Sequence, residues 1–290
     1  MLVALVRSLR PAQWSKNLFV LAPLLFARRL GDPAALRDAA AAFAAFSAAA
    51  STTYLLNDLG DRERDRRHPL KRERPIASGA LPPAVAAIAA VVLALFATGL
   101  AWRLGTPFAL LLVGYLGLGL LYTLALKRIV ILDVMAISAG FVLRVLGGAA
   151  AIDVAVSHWL LLCTSFLALF LGFSKRRHEL LLLSNASEQR QVLSDYSPQF
   201  LDQMINVVTA SAVVSYALYA VAPETVAKFH TDRLLLTLPM VLFGVFRYLY
   251  LMHRRPDEML NPTEAILRDL PFLANIALWA AAAAAIVHAF

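Results

Sequence analysis

Residues 34–56 read AALRDAAAAFAAFSAAASTTYLL, and residues 57–75 continue as NDLGDRERDRRHPLKRERP. The first part is an Ala-rich apolar segment long enough to cross a bilayer, and the second carries five carboxylates among seven Lys and Arg side chains. If the helix continues, Asn57, Asp61 and Asp65 lie within about 80° of one another, with Asp58 beside them. Carboxylates stacked on one helix face repel each other unless a cation lies between them, and Mg²⁺ carried on a phosphorylated substrate takes such oxygen ligands. The pattern predicts a Mg²⁺ site at a helix end; the alternative is a solvated loop whose acids pair with its own arginines.

Composition places the chain among membrane proteins. Of its 290 residues, 60% are hydrophobic and 16% charged, and the mean hydropathy is +0.68. Apolar runs close to the roughly 20 residues that span hydrocarbon recur along the whole length, which excludes a soluble globular class. A single cysteine, Cys163, excludes a disulfide framework. The first apolar run lacks a small-residue cleavage site and is followed by Arg28 and Arg29, so we expect it to be retained.

The apolar runs predict nine spans in a single domain, with both ends of the chain on opposite sides of the membrane. Of the 27 Lys and Arg residues, 20 fall in the N-terminus and one alternate set of loops, six in the other set, and Arg144 inside a span. The positive-inside rule then makes the N-terminus cytoplasmic and places the charged loops at the cytoplasmic face of the cell membrane. This clustering explains the net charge of +8 better than nucleic-acid binding does. The expected spans are 17–27, 34–57, 83–102, 106–126, 129–151, 157–173, 203–222, 233–252 and 271–290.

Small residues within the spans are interpreted as packing positions. No strand is expected before them, which disfavours a dinucleotide-binding loop. Small side chains let membrane helices approach closely. The glycines concerned are Gly114, Gly117, Gly119, Gly140, Gly147 and Gly148.

Cationic side chains close to the acids predict phosphate binding. Lys16 and Asn17 stand at the entry to the first span, and Lys71, Arg72 and Arg74 follow the acidic stretch. A metal-binding helix face next to a basic turn suits a pyrophosphate. The metal binds some of its oxygens, and Lys and Arg neutralise the charge on the others. His68 could exchange a proton there, although a structural role is the alternative.

Two more polar groups lie further along the chain. Tyr122 and Lys127 precede Asp133, which shares a helix face with Arg144 about 16 Å away at 1.5 Å per residue. Because an intramembrane arginine is costly, each of these two charges needs its own partner or a ligand. Lys175, Arg176 and Arg177 end the sixth expected span, and the spacing of Lys175 and Glu179 permits an ion pair.

Taken together, these motifs resemble the UbiA superfamily of intramembrane prenyltransferases, and within it the decaprenyl-phosphate phosphoribosyltransferases. The first Asp-rich motif of the family matches in full, whereas the second is reduced to Asp133, with Ile at position 137. The closer resemblance extends over nearly the whole chain. It rests on residues 10–17, 68–79, 126–133, 141–144, 175–179, 195–197 and 261–263, whereas residues 57–65 carry the resemblance to the superfamily.

The resemblance implies an all-α integral membrane protein with nine helices around a central cavity, and an Mg²⁺-dependent reaction. The donor would be 5-phosphoribosyl diphosphate (PRPP) and the acceptor a polyprenyl phosphate, with inversion at the anomeric carbon and a usual place in cell-wall biogenesis. Two alternatives stay open: a prenyltransferase that uses an aromatic acceptor, and a polyprenyl-lipid transporter. The oligomeric state stays open too, and no nucleic acid is expected as a partner. The implied catalytic residues are Asp58, Asp61, Asp65 and Asp133, of which the first three would hold the metal, and the implied substrate-binding residues are Lys16, Asn17, Asn57, Lys71, Arg74, Tyr122, Lys127, Arg144, Lys175 and Arg176.

Overall fold

A computed structural model describes residues 1–67, 71–182, 191–254 and 268–289, and within them every regular element is helical. The chain divides into two compact units, Met1–Ala155 and Val156–Phe290, which are described separately. The first contains α1 (Leu2–Leu9), α2 (Ala22–Phe26), α3 (Pro33–Gly60), α4 (Arg62–Arg67), α5 (Pro83–Leu104), α6 (Thr106–Leu124) and α7 (Leu132–Ala151). Three 3₁₀ segments, Pro11–Leu21, Lys71–Glu73 and Leu126–Arg128, connect them. The predicted all-α class is confirmed.

Helix α3 is the central element of the first unit. The Asp32 side chain caps its N-terminus, because one carboxylate oxygen accepts hydrogen bonds from the backbone N–H groups of Ala34 (2.9 Å) and Ala35 (3.3 Å). Pro33 fits the first helical position, where no N–H partner is needed. The Ala-rich face of the helix is fully buried against α5, α6 and α7, since alanine allows close approach.

The first expected span, 17–27, is not a continuous α-helix. Instead, the Pro11–Leu21 3₁₀ segment and α2 run antiparallel to α3: Trp14 donates to Ser51 Oγ (3.1 Å), and Leu24 packs near Ala35 and Ala39. Eleven residues at about 2.0 Å and five at about 1.5 Å give roughly 30 Å, the thickness of the hydrocarbon core. The stretched 3₁₀ geometry thus lets a short segment reach the thickness of the hydrocarbon core.

Close backbone approach holds this segment in place. A Cβ atom at Gly148 of α7 would lie 1.9 Å from the carbonyl oxygen of Val20, and one at Gly147 would lie 2.5 Å from the Phe46 ring. In α6, a Cβ at Gly119 would meet Thr53 at 2.4 Å, whereas at Gly114 and Gly117 it would meet nothing within 4 Å. The packing interpretation therefore applies to Gly119, Gly147 and Gly148.

The second unit contains α8 (His158–Leu182), α9 (Pro198–Val221), α10 (Pro223–Phe229), α11 (Leu238–Arg254) and α12 (Leu270–Ala289), with 3₁₀ segments at Gln191–Asp195 and Arg233–Thr237. Helix α8 packs along α9, and α11 along α12. Buried hydroxyl groups link its elements: Tyr216 and Thr237 are 2.6 Å apart, and the Trp279 indole donates to Tyr216 at 3.0 Å.

Eight helices within the described part of the chain are long and apolar enough to cross a membrane. They correspond to the second to ninth spans expected from sequence. The one difference is the N-terminal segment, for the reason given above. The helices cover Pro33–Gly60, Pro83–Leu104, Thr106–Leu124, Leu132–Ala151, His158–Leu181, Pro198–Val221, Arg233–Arg254 and Leu270–Val287.

Candidate active site

The acidic stretch keeps helical geometry beyond the end of α3. The backbone N–H of Asp61 donates to the Asn57 carbonyl at 2.9 Å, and that of Asp65 donates to the Asp61 carbonyl at 2.8 Å, so α4 follows α3 after a single residue, Asp61. This geometry agrees with the predicted arrangement of Asn57, Asp61 and Asp65 with Asp58 beside them, but the four side chains divide between two sets of cationic partners. Seven residues are nearly two full turns, so Asp58 and Asp65 share one face, and Asn57 and Asp61 share another.

Two arginines cover the Asp58 and Asp65 face. Arg10 Nη2 lies 2.7 and 2.8 Å from the two oxygens of Asp58. Arg74 Nη1 bridges the acids, at 3.0 Å from Asp58 and 2.8 Å from Asp65. The guanidinium of Arg10 also stacks 5.1 Å from the centre of the Tyr54 ring. We call Asp58 and Asp65 the arginine-covered pair. Together with Arg10 and Arg74, they balance two positive charges against two negative ones.

A lysine pairs with the acid on the face formed by Asn57 and Asp61. Lys127 Nζ lies 2.8 Å from each oxygen of Asp61 and 3.3 Å from the amide oxygen of Asn57. Lys127 belongs to the 3₁₀ turn that follows α6, which brings a residue 66 positions away in sequence to the end of α3. The structure thus joins two of the motifs that sequence analysis had identified separately.

Burial changes the ionisation of one acid. The pKa of the Asp65 carboxyl is raised because the group is buried, while Arg74 and Lys71 oppose that rise. Lys71 is therefore close enough to influence Asp65 electrostatically, as expected of a residue in the basic turn.

Arg144 lies in a buried network made of neutral groups. Its Nε donates to Asn17 Oδ1 at 2.7 Å, its Nη2 to the Tyr115 hydroxyl at 2.7 Å and its Nη1 to the Gly140 carbonyl at 2.9 Å. Asn17 in turn donates to Ser47 Oγ at 3.0 Å. Ser47 precedes Asp58 by 11 residues of α3, which is about 16 Å at 1.5 Å per residue, so its partner Asn17 lies far from the acids as well. Asn17 and Arg144 therefore hold the N-terminal segment to α3, α6 and α7, and their predicted substrate contacts stay predictions.

The remaining first-unit residues of the predicted site have diverse surroundings. Asp133 is completely buried in the first turn of α7, two residues after Ile131, whose φ of 69° is unusual for a β-branched residue. Lys16 and Tyr122 are half-buried, and each has polar or ring interactions of its own. Their predicted roles, like that of Asp133, stay predictions.

In the second unit, the basic cluster lies within helix α8, which continues to Leu182. Lys175 lies 3.9 Å from Glu179, which confirms the predicted ion pair. Arg176 is buried and lies 2.5 Å from the same carboxylate, and Arg177 pairs with Asp202. His68 and residues 261–263 lie outside the described residues.

Arg10 and Tyr115 are the participants that sequence reasoning missed. No spacing pattern links Arg10 to Asp58, which lies 48 residues away in sequence. Tyr115 lies in an apolar helix without a polar neighbour in sequence. Only the structure shows that Tyr115 lies beneath the Arg144 guanidinium, 4.7 Å from the ring centre, and accepts a hydrogen bond from it.

The acidic residues at the end of α3 are the candidate ligands for a divalent cation. Among the described residues, no three His, Cys, Asp or Glu side chains converge into a metal-binding group. However, one positively charged nitrogen already lies within 3.0 Å of both Asp58 and Asp65. The donors are carboxylate oxygens, which are the ligands that Mg²⁺ prefers. The donor set therefore fits a hard divalent cation, provided that the arginines give way.

These features define a multi-pass, all-α membrane protein with a charged site at the end of one long helix. The sequence pattern of the UbiA prenyltransferase family matches residues 17–264. The chain belongs to this family and is accordingly an enzyme of the transferase class.

Named relatives and solved structures agree with this assignment. The chain is 38% identical to decaprenyl-phosphate phosphoribosyltransferase of Mycolicibacterium smegmatis over 221 residues, which is 74% of this chain and 70% of the relative. It is 36% identical to the protein of the same name from Mycobacterium tuberculosis over 225 residues, or 76% and 74% of the two chains. A UbiA homolog from Archaeoglobus fulgidus, solved bound to GPP and Mg²⁺, superposes with a TM-score of 0.74 at 19% identity, over 98% of this chain and 99% of that one. The last comparison establishes the fold.

Proposed function

We propose that this protein transfers the 5-phosphoribosyl group of PRPP to a polyprenyl phosphate. The lipid phosphate attacks the anomeric carbon of the ribose, the bond to the diphosphate breaks, and the configuration inverts. The products are polyprenylphosphoryl-5-phosphoribose and diphosphate. The names of the relatives described above support the donor and the acceptor.

The observation that carries the proposal is the balance of charge at the end of α3. Three carboxylates lie there on two faces, and each is paired with at least one cationic side chain. These cations come from three separate segments of the chain. A prenyl diphosphate has one anionic end, which a single metal face can hold. PRPP has a diphosphate and a 5-phosphate, so it needs several separate cations in addition to a metal.

The roles follow from this chemistry. Asp58, Asp61 and Asp65, assisted by Asn57, would hold Mg²⁺, which when bound offsets the negative charge of the departing diphosphate. Lys71 and Arg74 would bind the leaving group or the 5-phosphate. Asp133 would orient a ribose hydroxyl or a second metal ion.

Further polar side chains would complete the substrate contacts. No general base is required, because a phosphate monoester is already ionised at neutral pH. The residues proposed for the remaining phosphate and ribose contacts are Lys16, Asn17, Tyr122, Lys127, Arg144, Lys175 and Arg176.

The proposal places the reaction at the cytoplasmic face of the cell membrane. PRPP is water-soluble and strongly anionic, whereas the acceptor is a lipid, so the two substrates meet at an interface. The excess of Lys and Arg in the loop that carries the acids supports the cytoplasmic side.

A three-armed assay tests the proposed substrates. In the first arm, purified protein in detergent is incubated with Mg²⁺, labelled PRPP and polyprenyl phosphate. In the second arm, the substrates are a labelled prenyl diphosphate and an aromatic acid. The third arm measures lipid movement across liposomes. We expect label in the lipid fraction of the first arm. Activity in the second arm alone would replace the proposal with prenyl transfer, and lipid movement without chemistry would replace it with transport.

A further inference from the structure

The acids differ in how they can be reached from solvent. At the arginine-covered pair the arginines lie outside: the side chains of Arg10 and Arg74 are 28% exposed, and those of Asp58 and Asp65 only 3%. At the other face the order is reversed, because Asp61 is 22% exposed and Lys127 only 10%. An incoming cation can thus approach Asp61 directly, but it reaches Asp58 and Asp65 only if the arginines move.

The arginines have the chemistry to move. Each guanidinium is held by ion pairs to the acids, but it is itself 28% exposed, so a displaced arginine side chain can move into solvent without crossing the protein interior. Arg10 is also the joint between α1 and the 3₁₀ segment, with a left-handed backbone (φ 55°). A guanidinium released from a carboxylate can instead form paired hydrogen bonds to phosphate oxygens.

We propose that Arg10 and Arg74 are exchangeable counter-ions. In the metal-free protein they neutralise Asp58 and Asp65; when a divalent cation takes these carboxylates, the two guanidinium groups pass to the phosphate oxygens of the incoming diphosphate. Arg10 thereby becomes a substrate-binding residue. The inference rests on the proposed function for the identity of the diphosphate but not for the exchange itself.

The exchange predicts opposite effects of one substitution on two ligands. In Arg74→Gln, bare metal no longer competes with a guanidinium, so it should bind more tightly. The same variant lacks a phosphate ligand, so the metal–pyrophosphate complex should bind more weakly. A merely structural bridge would weaken both, because the two buried acids would then be misplaced.

The test uses the full-length protein in detergent, with Mn²⁺ as the metal probe and inorganic pyrophosphate as the anion. Free Mn²⁺ is measured by electron paramagnetic resonance, and retention of radioactive pyrophosphate with saturating Mn²⁺ by filtration. We expect Arg74→Gln to tighten Mn²⁺ binding about tenfold and to weaken Mn²⁺–pyrophosphate about tenfold, each equal to about 1.4 kcal/mol. Arg64→Gln is the control, since Arg64 is exposed on α4 and has the same charge next to Asp65.

Two results would overturn the exchange. One is Mn²⁺ binding in Arg74→Gln that is unchanged or weaker than in the wild type; the other is equal tightening in Arg64→Gln, which would indicate a general charge effect. If Arg74→Gln does not fold, Arg10→Gln, which leaves the Arg74 bridge in place, is measured with the same expectation. The readout needs neither ribose nor lipid. A protein that passes this test but transfers no phosphoribosyl group would contradict the proposed function and leave the exchange supported.

Discussion

Replacing Gly148 by alanine should displace the N-terminal segment from α7. The new Cβ atom would lie 1.9 Å from the carbonyl oxygen and 2.8 Å from the carbonyl carbon of Val20, whereas real Cβ contacts are essentially never below 3.0 Å. The backbones must therefore separate by about 1.1 Å, from 1.9 to 3.0 Å. The obstacle is main chain, so no side-chain rotation can relieve it.

The consequences can be estimated for stability and for activity. Overpacking of this kind costs about 1–3 kcal/mol. The displaced segment carries Asn17 and begins next to Arg10, and a shift of about 1 Å at a catalytic site can cost roughly a hundredfold in rate. We expect Gly148→Ala to lower the free energy of unfolding in SDS by at least 1 kcal/mol and phosphoribosyl transfer by about a hundredfold.

The matched control is Gly117→Ala in α6, where a Cβ atom would meet nothing within 4 Å. That variant should unfold within about 1 kcal/mol of the wild type, in line with the helix propensities of the two residues. If Gly148→Ala were as stable and as active as Gly117→Ala, the close approach of the segment to α7 would be refuted.

Three other predictions concern individual charges. Asp61→Asn should abolish transfer at saturating Mg²⁺, by at least a hundredfold in kcat/KM, whereas Glu63→Gln on the exposed surface should stay near the wild type; near-full activity of Asp61→Asn would refute the metal assignment. Arg144→Met should destabilise the fold by about 2–4 kcal/mol in SDS unfolding, because it leaves Asn17 and Tyr115 without a donor; an unchanged midpoint would contradict the network. Burial raises the pKa of Asp65, so the stability that this group contributes is complete below its ordinary pKa of 3.8 and is lost as the pH rises through the raised pKa. Asp65→Asn should therefore stabilise the metal-free protein more at pH 7 than at pH 4 in thermal unfolding; equal effects at both would show that the pKa is not raised.

Hydropathy was sufficient to predict the helices because bilayer thickness leaves few alternatives. A run such as 83–102 must satisfy its backbone internally, so an α-helix of that length was predictable. The 17–27 segment failed as a helix prediction because Pro11 and Pro23 and close packing on α3 favour a stretched 3₁₀ path. Neither the partner backbone nor the required rise per residue is visible in local sequence.

The acids of the site were predictable, but their cationic partners were not. Helical spacing identifies Asn57, Asp58, Asp61 and Asp65 as neighbours, but it does not show which cationic side chain pairs with which acid. Arg10 is 48 residues from Asp58, and Lys127 is 66 from Asp61. Such pairings depend on how helices pack, and a single sequence contains no signal for them.

The central claim, transfer of an intact phosphoribosyl group, is tested most directly with two labels on PRPP. One preparation carries ¹⁴C in the ribose and ³²P at the 5-phosphate, and another carries ³²P in the diphosphate; each is incubated with polyprenyl phosphate, Mg²⁺ and the purified protein. The account predicts that ¹⁴C and the 5-phosphate label enter the lipid fraction in equal amounts, with an inverted anomeric carbon, while the diphosphate label stays in water. Diphosphate label in the lipid, or no ribose label there, would contradict it.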